Sequence, residues 1–333
     1  MHGKSGNGEG GISDMVFHPE FGDSSSPNAD YVYISYRWNP DLAGTFMQSP
    51  TVDGYNRVSR FSVINGQVDI STEFPLITQF DRQQWHIGMA MYFGDDGFLY
   101  ISLGDEGNCC DREFHTQRLD GGLWSGIIRI DVDQDPTRSH PIVRQPTHLE
   151  FDPTTLGPQW PASFTQGYYI PNDNPWLDPN GGNLEEFYSI GLRHPWTFAE
   201  DPVTGVIWVA DVGFLEREEV NVVTRGDNHQ WAYKEGTIDG AIPPPSNIIG
   251  NSAPPVFEYD HSVGRAVIGA GVYRGSQFPE LVGKYIFSDF LGGQLWTAES
   301  VSTGYNVEQI GSVTSGFPNG INSYLLDLSL IHI

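Results

Sequence analysis

Two residues able to exchange a proton, His86 and Asp105, lie at the open ends of one expected β-hairpin. Between them run two apolar stretches, residues 89–93 and 98–103, joined by the turn Gly94-Asp95-Asp96-Gly97. A turn centred between Asp95 and Asp96 sets His86 opposite Asp105, with Cα atoms about 5 Å apart if no bulge intervenes. A carboxylate beside an imidazole fixes its tautomer and stabilises the imidazolium, so the ring can act as a general base near neutral pH. A later hairpin behaves likewise: a turn centred on Val203 sets Arg193 opposite Gly213, again at the open end. Glu9 precedes the first apolar stretch and occupies the corresponding end. A lone His/Asp pair is more often structural than catalytic, and a lone arginine more often anchors a loop or forms an ion pair. The functional reading therefore rests on their convergence on one face.

What would bring them together is repetition. One pattern recurs: an apolar strand, a turn rich in Asp, Pro and Gly, then an aromatic-rich strand ending in polar residues. The copies are residues 12–17 with 31–36, 89–93 with 98–103, 196–200 with 206–210, and a looser fourth over 266–273, 284–287 and 294–298. Period-2 alternation and turn chemistry make these β-hairpins. Repeated antiparallel hairpins without helical periodicity point to the blades of a propeller, ahead of a sandwich or barrel. Residues 136–183, rich in Pro, Asn and Asp, read as an ordered loop over one face. Its aromatics Tyr168, Tyr169 and Trp176 could stack on a sugar or pack inward. Asp131 and Asp133 are expected to end a strand in solvent, and residues 216–219 to form a charged turn.

Composition agrees. With 39 Gly and 23 Pro in 333 residues, the chain suits many short strands. A net charge of −25 argues against nucleic-acid and anionic-membrane partners. No apolar run is long enough for a membrane-spanning helix. Cys109 and Cys110, the only cysteines, are adjacent and cannot staple distant segments.

Three stretches resemble the soluble quinoprotein aldose (glucose/sorbosone) dehydrogenases. They are Glu9-Gly10-Gly11-Ile12 with Phe17-His18-Pro19-Glu20-Phe21; His86-Ile87-Gly88 with Gly104-Asp105-Glu106-Gly107 and Gly126-Ile127-Ile128-Arg129-Ile130-Asp131; and Gly191-Leu192-Arg193-His194-Pro195-Trp196 with Asp211-Val212-Gly213, ending at Trp231. The resemblance implies an all-β, six-bladed propeller that binds pyrroloquinoline quinone (PQQ) and Ca²⁺ in a central funnel. It makes His86 the base toward the anomeric hydroxyl, Asp105 its orienting partner and Arg193 the cation beside the quinone oxygen. Glu9 and His194 would line the cofactor, and the backbone carbonyls of Gly213 and Phe214 would hold Ca²⁺. Cys110 joins the cofactor-binding set, as half of a vicinal disulfide or as one of two thiols. The implied substrate is an aldose, the implied electron acceptor an external cytochrome or dye, and the implied location periplasmic or secreted.

The sequence also departs from that pattern. His-Asn-Gly-Gly is replaced by His86-Ile87-Gly88-Met89, and His194 stands where Asn is usual. Leu291, Phe317 and Asn319 align with a lysine and two arginines that hold the PQQ carboxylates; Arg265 is a candidate substitute. These losses would also fit a non-catalytic propeller that binds a protein or glycan through the same face. A metal-assisted lactone hydrolase is a third reading. Residues 1–327 are expected to form one propeller, incomplete at both ends, and residues 328–333 a non-native, adaptor-derived tail.

Overall fold

The computed structural model describes residues 9–42, 53–107, 109–111 and 114–312. Phe317, Asn319 and the expected tail lie outside the described residues. The described chain is nearly all β, with one four-residue α-helix, Pro153–Leu156, capped by the Asp152 side chain, and two single-turn 3-10 helices, Pro40–Leu42 and Pro279–Leu281.

Four sheets, antiparallel except for two short parallel pairings at one edge of the second, follow one another along the chain. The first holds β1 (Ile12–Phe17), β2 (Tyr31–Trp38), β3 (Gly54–Ile64) and β4 (Gln67–Asp81). The second is built on β5 (Gly88–Phe93), β6 (Leu99–Leu103), β7 (Gly126–Ile130) and β8 (Phe187–Ile190). The third holds β9 (Pro195–Glu200), β10 (Ile207–Asp211), β11 (Arg217–Val223) and β12 (Phe257–Asp260). The fourth holds β13 (Val267–Val272), β14 (Tyr285–Asp289), β15 (Gln294–Val301) and β16 (Gly304–Ser312). All four repeated units read in the sequence are present, with ends shifted by up to three residues.

The sheets stack face to face in chain order. Val58 and Ile77 of the first meet Ile101, Ile128 and Phe187 of the second. Phe98 and Ile127 meet Phe198 and Val209 of the third. Trp208 and Val220 meet Phe287 and Trp296 of the fourth. Both faces of the inner sheets are therefore apolar, which is why their strands are nearly continuous hydrophobic runs. Truncating a fully buried ring such as Phe187 would cost about 3–5 kcal/mol.

The first strand of each sheet, β1, β5, β9 and β13, neighbours the next. Polar groups tie this seam: Asp14 of β1 accepts from Met91 N of β5 at 2.7 Å, Ser102 Oγ of β6 donates to Pro195 O of β9 at 2.8 Å, and Gly269 N of β13 donates to Thr197 Oγ1 of β9 at 2.8 Å. Between them lies a cavity of about 510 Å³, lined among others by Glu9, Asp14, Met91, Trp196 and Glu200.

The loop 136–183 is ordered by pairing. Ser139–Pro141 pairs with Tyr169–Pro171, and Phe164–Thr165 adds to the edge of β4. Tyr168 is fully buried and donates to Glu186 at 2.8 Å, so it is a core residue and no sugar platform. Two sequence expectations are corrected. Asp131 is buried, not solvated, because it accepts the N–H groups of Asp133 and Asp135 and closes its own turn. Glu218 and Glu219 are buried in β11, not in a charged turn. Backbone N–H groups and His261 satisfy Glu218, and Gly236 N and Asn221 satisfy Glu219.

Candidate active site

The site forms where chain segments leave the inner strands. Gly88 and Leu103 are the last paired residues of the second hairpin, and a bulge between Gly88 and Met91 shifts the register there. His86, Gly88 and Met89 all have φ in the left-handed region, at 55°, 67° and 73°. Beyond the bulge the two ends still approach: His86 Nδ1 lies 2.7 Å from Asp105 Oδ1. This closeness needs Gly104, since a Cβ there would lie 1.6 Å from the His86 carbonyl oxygen.

Asp105 is buried, and three donors converge on it. Oδ1 also accepts Gly107 N–H at 3.0 Å, and Oδ2 accepts Trp231 Nε1–H at 2.8 Å. Trp231, 126 positions along the chain, is a partner that hairpin spacing could not reveal. Asp105 N donates to Arg193 O at 3.0 Å, which ties the second sheet to the third.

The third hairpin carries the same kind of bulge, between Pro195 and Thr197, and its last pair is Pro195 with Asp211. Asp211 accepts the N–H groups of Arg193 (2.9 Å) and His194 (2.6 Å). The Arg193 guanidinium then reaches three groups. Nη1 donates to Val212 O (2.9 Å) and Gly213 O (2.5 Å), and Nη2 lies 3.2 Å from His86 Nε2. The His194 ring stacks on His86 with centroids 4.9 Å apart, and its Nε2 lies 3.1 Å from Glu9 Oε1. Glu9 Oε2 accepts Ile87 N–H at 3.0 Å. The Phe214 ring centroid lies 5.5 Å from Arg193 Cζ. Glu9, His86, Asp105, Arg193, His194, Gly213 and Phe214 thus form one contact network. Cys109 and Cys110 are joined to each other as a vicinal disulfide, just past the Asp105 loop.

The network fixes the protonation of His86. A guanidinium has donors only, so the His86 Nε2 facing it carries the lone pair. Nδ1 therefore bears the proton and donates it to Asp105. Burial holds the ring below the usual imidazole range; Arg193 and His194 add to this and Asp105 opposes it. Burial pushes the Asp105 carboxyl up, but His86, Arg193 and Trp231 together outweigh it and keep the group ionised. Glu9 behaves likewise: burial is outweighed by His194, Ile87 N–H and His86. The result is an unprotonated Nε2 backed by a carboxylate. Two polar atoms beside it, Arg193 Nε and His194 Nδ1, are buried without a partner.

A second polar cluster adjoins the first. Glu106, His115 and His148 bring metal-capable atoms within 4.8 Å of one another, a grouping with no motif spacing to announce it. Hydrogen bonds account for it. His115 Nε2 and His148 Nε2 each lie 2.8 Å from one oxygen of Glu106. His148 Nδ1 accepts Glu150 N–H at 3.2 Å, so its Nε2 holds the proton and has no lone pair for an ion.

Fold and site together describe a sheet-stacked β protein in which a buried carboxylate backs an imidazole. The Glucose / Sorbosone dehydrogenase family model matches residues 4–150 and 164–317, and the chain belongs to that family. Among curated proteins, the HIPL1 protein of Arabidopsis thaliana is 30% identical over 226 residues, covering 63% of this chain and 29% of that protein. Aldose sugar dehydrogenase YliI of Escherichia coli is 24% identical, covering 82% of this chain and 60% of that protein. Human Hedgehog-interacting protein is 25% identical, covering 90% and 36%. The chain thus spans less than a third of HIPL1. Among solved structures, the apo form of soluble aldose sugar dehydrogenase from Escherichia coli superposes with TM-score 0.63 at 19% identity, covering 91% of this chain and 73% of that one. The PQQ-bound aldose sugar dehydrogenase from Streptomyces coelicolor gives 0.56 at 17%, covering 92% and 69%. At these identities the structures establish the fold. No helix among the described residues is long and apolar enough to cross a membrane.

Proposed function

We propose that this protein is a PQQ- and Ca²⁺-dependent aldose dehydrogenase built on a six-bladed propeller, of which the four sheets are blades. The observation that carries the reading is the His86 Nε2 lone pair, with the ring proton fixed on Nδ1 by Asp105. The orphaned Arg193 Nε, a donor, fits a partner rich in oxygen acceptors, as the edge of an ortho-quinone is. Arg193 would lie against the quinone oxygen, with Glu9, His194 and Cys110 lining the cofactor and the Gly213 and Phe214 carbonyls holding Ca²⁺. The chemistry supplied by bound PQQ is acceptance of a hydride from the anomeric carbon, which leaves a lactone.

The residues of the chain do the rest. His86 Nε2 accepts the proton of the anomeric hydroxyl, and Asp105 stabilises the resulting imidazolium at Nδ1. Substrate must displace Arg193 Nη2 from Nε2, which frees that donor for developing negative charge. His194, held by Glu9, covers one face of the base and limits its tilt. Electrons would leave to an external cytochrome or dye, in a periplasmic or secreted setting.

One observation favours a second reading. Leu291, aligned with a carboxylate-holding lysine, is exposed and apolar. A propeller that binds a protein or glycan through this face would show this loss, and relatives include one named Hedgehog-interacting protein. A PQQ titration with Ca²⁺ present, followed by absorbance, separates the two. Saturable binding with bleaching by an aldose supports the dehydrogenase; a folded, full-length protein that binds no PQQ supports the binding module.

A further inference from the structure

The loop that follows β10 is gripped from behind by a single carboxylate oxygen. Glu235 Oε1 accepts four consecutive backbone N–H groups: Phe214 (2.8 Å), Leu215 (2.6 Å), Glu216 (2.8 Å) and Arg217 (3.1 Å). Such a cup of successive N–H groups is an anion-binding nest, and here the chain supplies its own anion. Glu235 is buried. It is delivered by a two-residue hairpin in which Lys234 pairs with Asp239 and Glu235 with Ile238. That hairpin is pinned in turn: Gly236 N donates to Glu219, and Thr237 N donates to Glu258 at 2.6 Å. The loop closes so tightly that a Cβ on Gly213 would lie 1.5 Å from Arg217 O.

Planarity of the trans peptide turns this grip into an orientation. Within one peptide plane, N–H and C=O point in opposite directions. The N–H of Phe214 shares a plane with the Gly213 carbonyl, and the N–H of Leu215 with the Phe214 carbonyl. Holding both N–H groups on Glu235 therefore turns the Gly213 and Phe214 oxygens away from it. The Gly213 oxygen indeed points toward the site, where it accepts Arg193 Nη1 at 2.5 Å. The buried negative charge also polarises those two peptides and raises the electron density on their oxygens.

We infer that Glu235 is a positioning residue for the cation: it orients and polarises the two carbonyls that would hold Ca²⁺. The inference rests on the Ca²⁺ reading above. Arg193 Nη1 sits on one of those oxygens and would yield it when the ion arrives.

The test is Ca²⁺ titration of the PQQ-free protein by calorimetry, repeated with Tb³⁺ by luminescence. Glu235→Gln keeps the shape and removes the charge. It is expected to weaken Ca²⁺ affinity about 10–100-fold, the usual cost of losing a group that orients a metal ligand. Glu235→Asp, which keeps the charge, should recover part of the affinity and serves where the glutamine variant does not fold. Asp239→Asn, on the exposed side of the same hairpin, should leave affinity unchanged. Ca²⁺ affinity in folded Glu235→Gln within twofold of wild type would overturn the inference while leaving the Ca²⁺ reading intact. A wild type that binds no Ca²⁺ would overturn both.

Discussion

Replacing Asp105 by Asn tests the heart of the site, because three donors point at that side chain. They are His86 Nδ1–H at 2.7 Å, Gly107 N–H at 3.0 Å and Trp231 Nε1–H at 2.8 Å. An amide offers one acceptor and one donor, so no orientation satisfies all three. With the amide oxygen toward His86 and Gly107, its NH₂ meets the indole N–H. A buried donor left unpaired costs about 1–3 kcal/mol. With the amide reversed, its NH₂ faces His86 Nδ1 and forces the ring proton onto Nε2. That proton then opposes Arg193 Nη2, and the base is lost. Either way the imidazolium formed during proton abstraction loses its counter-charge. A positioned base contributes about 10²–10⁴ in rate, so kcat for dye-linked aldose oxidation should fall about 10²–10³-fold, or about 3–4 kcal/mol in the barrier. The companion assay is ¹⁵N NMR of the His86 ring, which reads the tautomer without any cofactor. A kcat within threefold of wild type, with Nδ1 still protonated, would refute the reasoning.

His86→Gln should remove most sugar oxidation yet leave PQQ binding largely intact; equal turnover in that variant would dismiss the assigned base. Because burial keeps the His86 ring below the usual imidazole range, the acid-side limb of kcat/KM should have its midpoint below about pH 6.5, whereas a midpoint above pH 7 would contradict the electrostatics. Gly104→Ala places a methyl on the His86 carbonyl and should cost about 1–3 kcal/mol in urea unfolding, with activity falling further than stability. Glu186 is fully buried, and burial pushes its carboxyl up to about 7 although Tyr168 donates to it. A carboxyl raised above its unfolded value of about 4.5 favours the folded state at low pH and loses that stability as pH rises through 7, up to about 3 kcal/mol. Glu186→Gln should flatten that decline between about pH 4.5 and 7; an unchanged pH slope would argue against an uncharged Glu186.

Much of this architecture is local and therefore legible in the chain. A strand alternates with period two, and a turn such as Gly94-Asp95-Asp96-Gly97 marks its own centre, so hairpins and their open ends can be read directly. That spacing alone sets His86 opposite Asp105 and Arg193 opposite Gly213. The register slips at the two bulges were not legible, because a bulge is a response to neighbouring sheets; in the second hairpin, Ser102 reaches Pro195 and Ser35 reaches Met89. The short strands within the ordered loop 136–183 were not legible for a related reason: they exist because β4 and a second loop segment offer edges to pair with.

By itself, then, the sequence determined the four repeated strand units, their turns, the open ends of the second and third hairpins and the acidic charge, since each depends on residues close along the chain. Tertiary structure alone decided that Trp231 holds Asp105, that Arg193 sets the His86 tautomer, that Glu235 grips the loop after Gly213, and that Asp131, Glu218 and Glu219 are buried. Those facts depend on how whole sheets stack. A side chain's solvent and partners are set by surfaces arriving from far along the chain, and no local spacing encodes them.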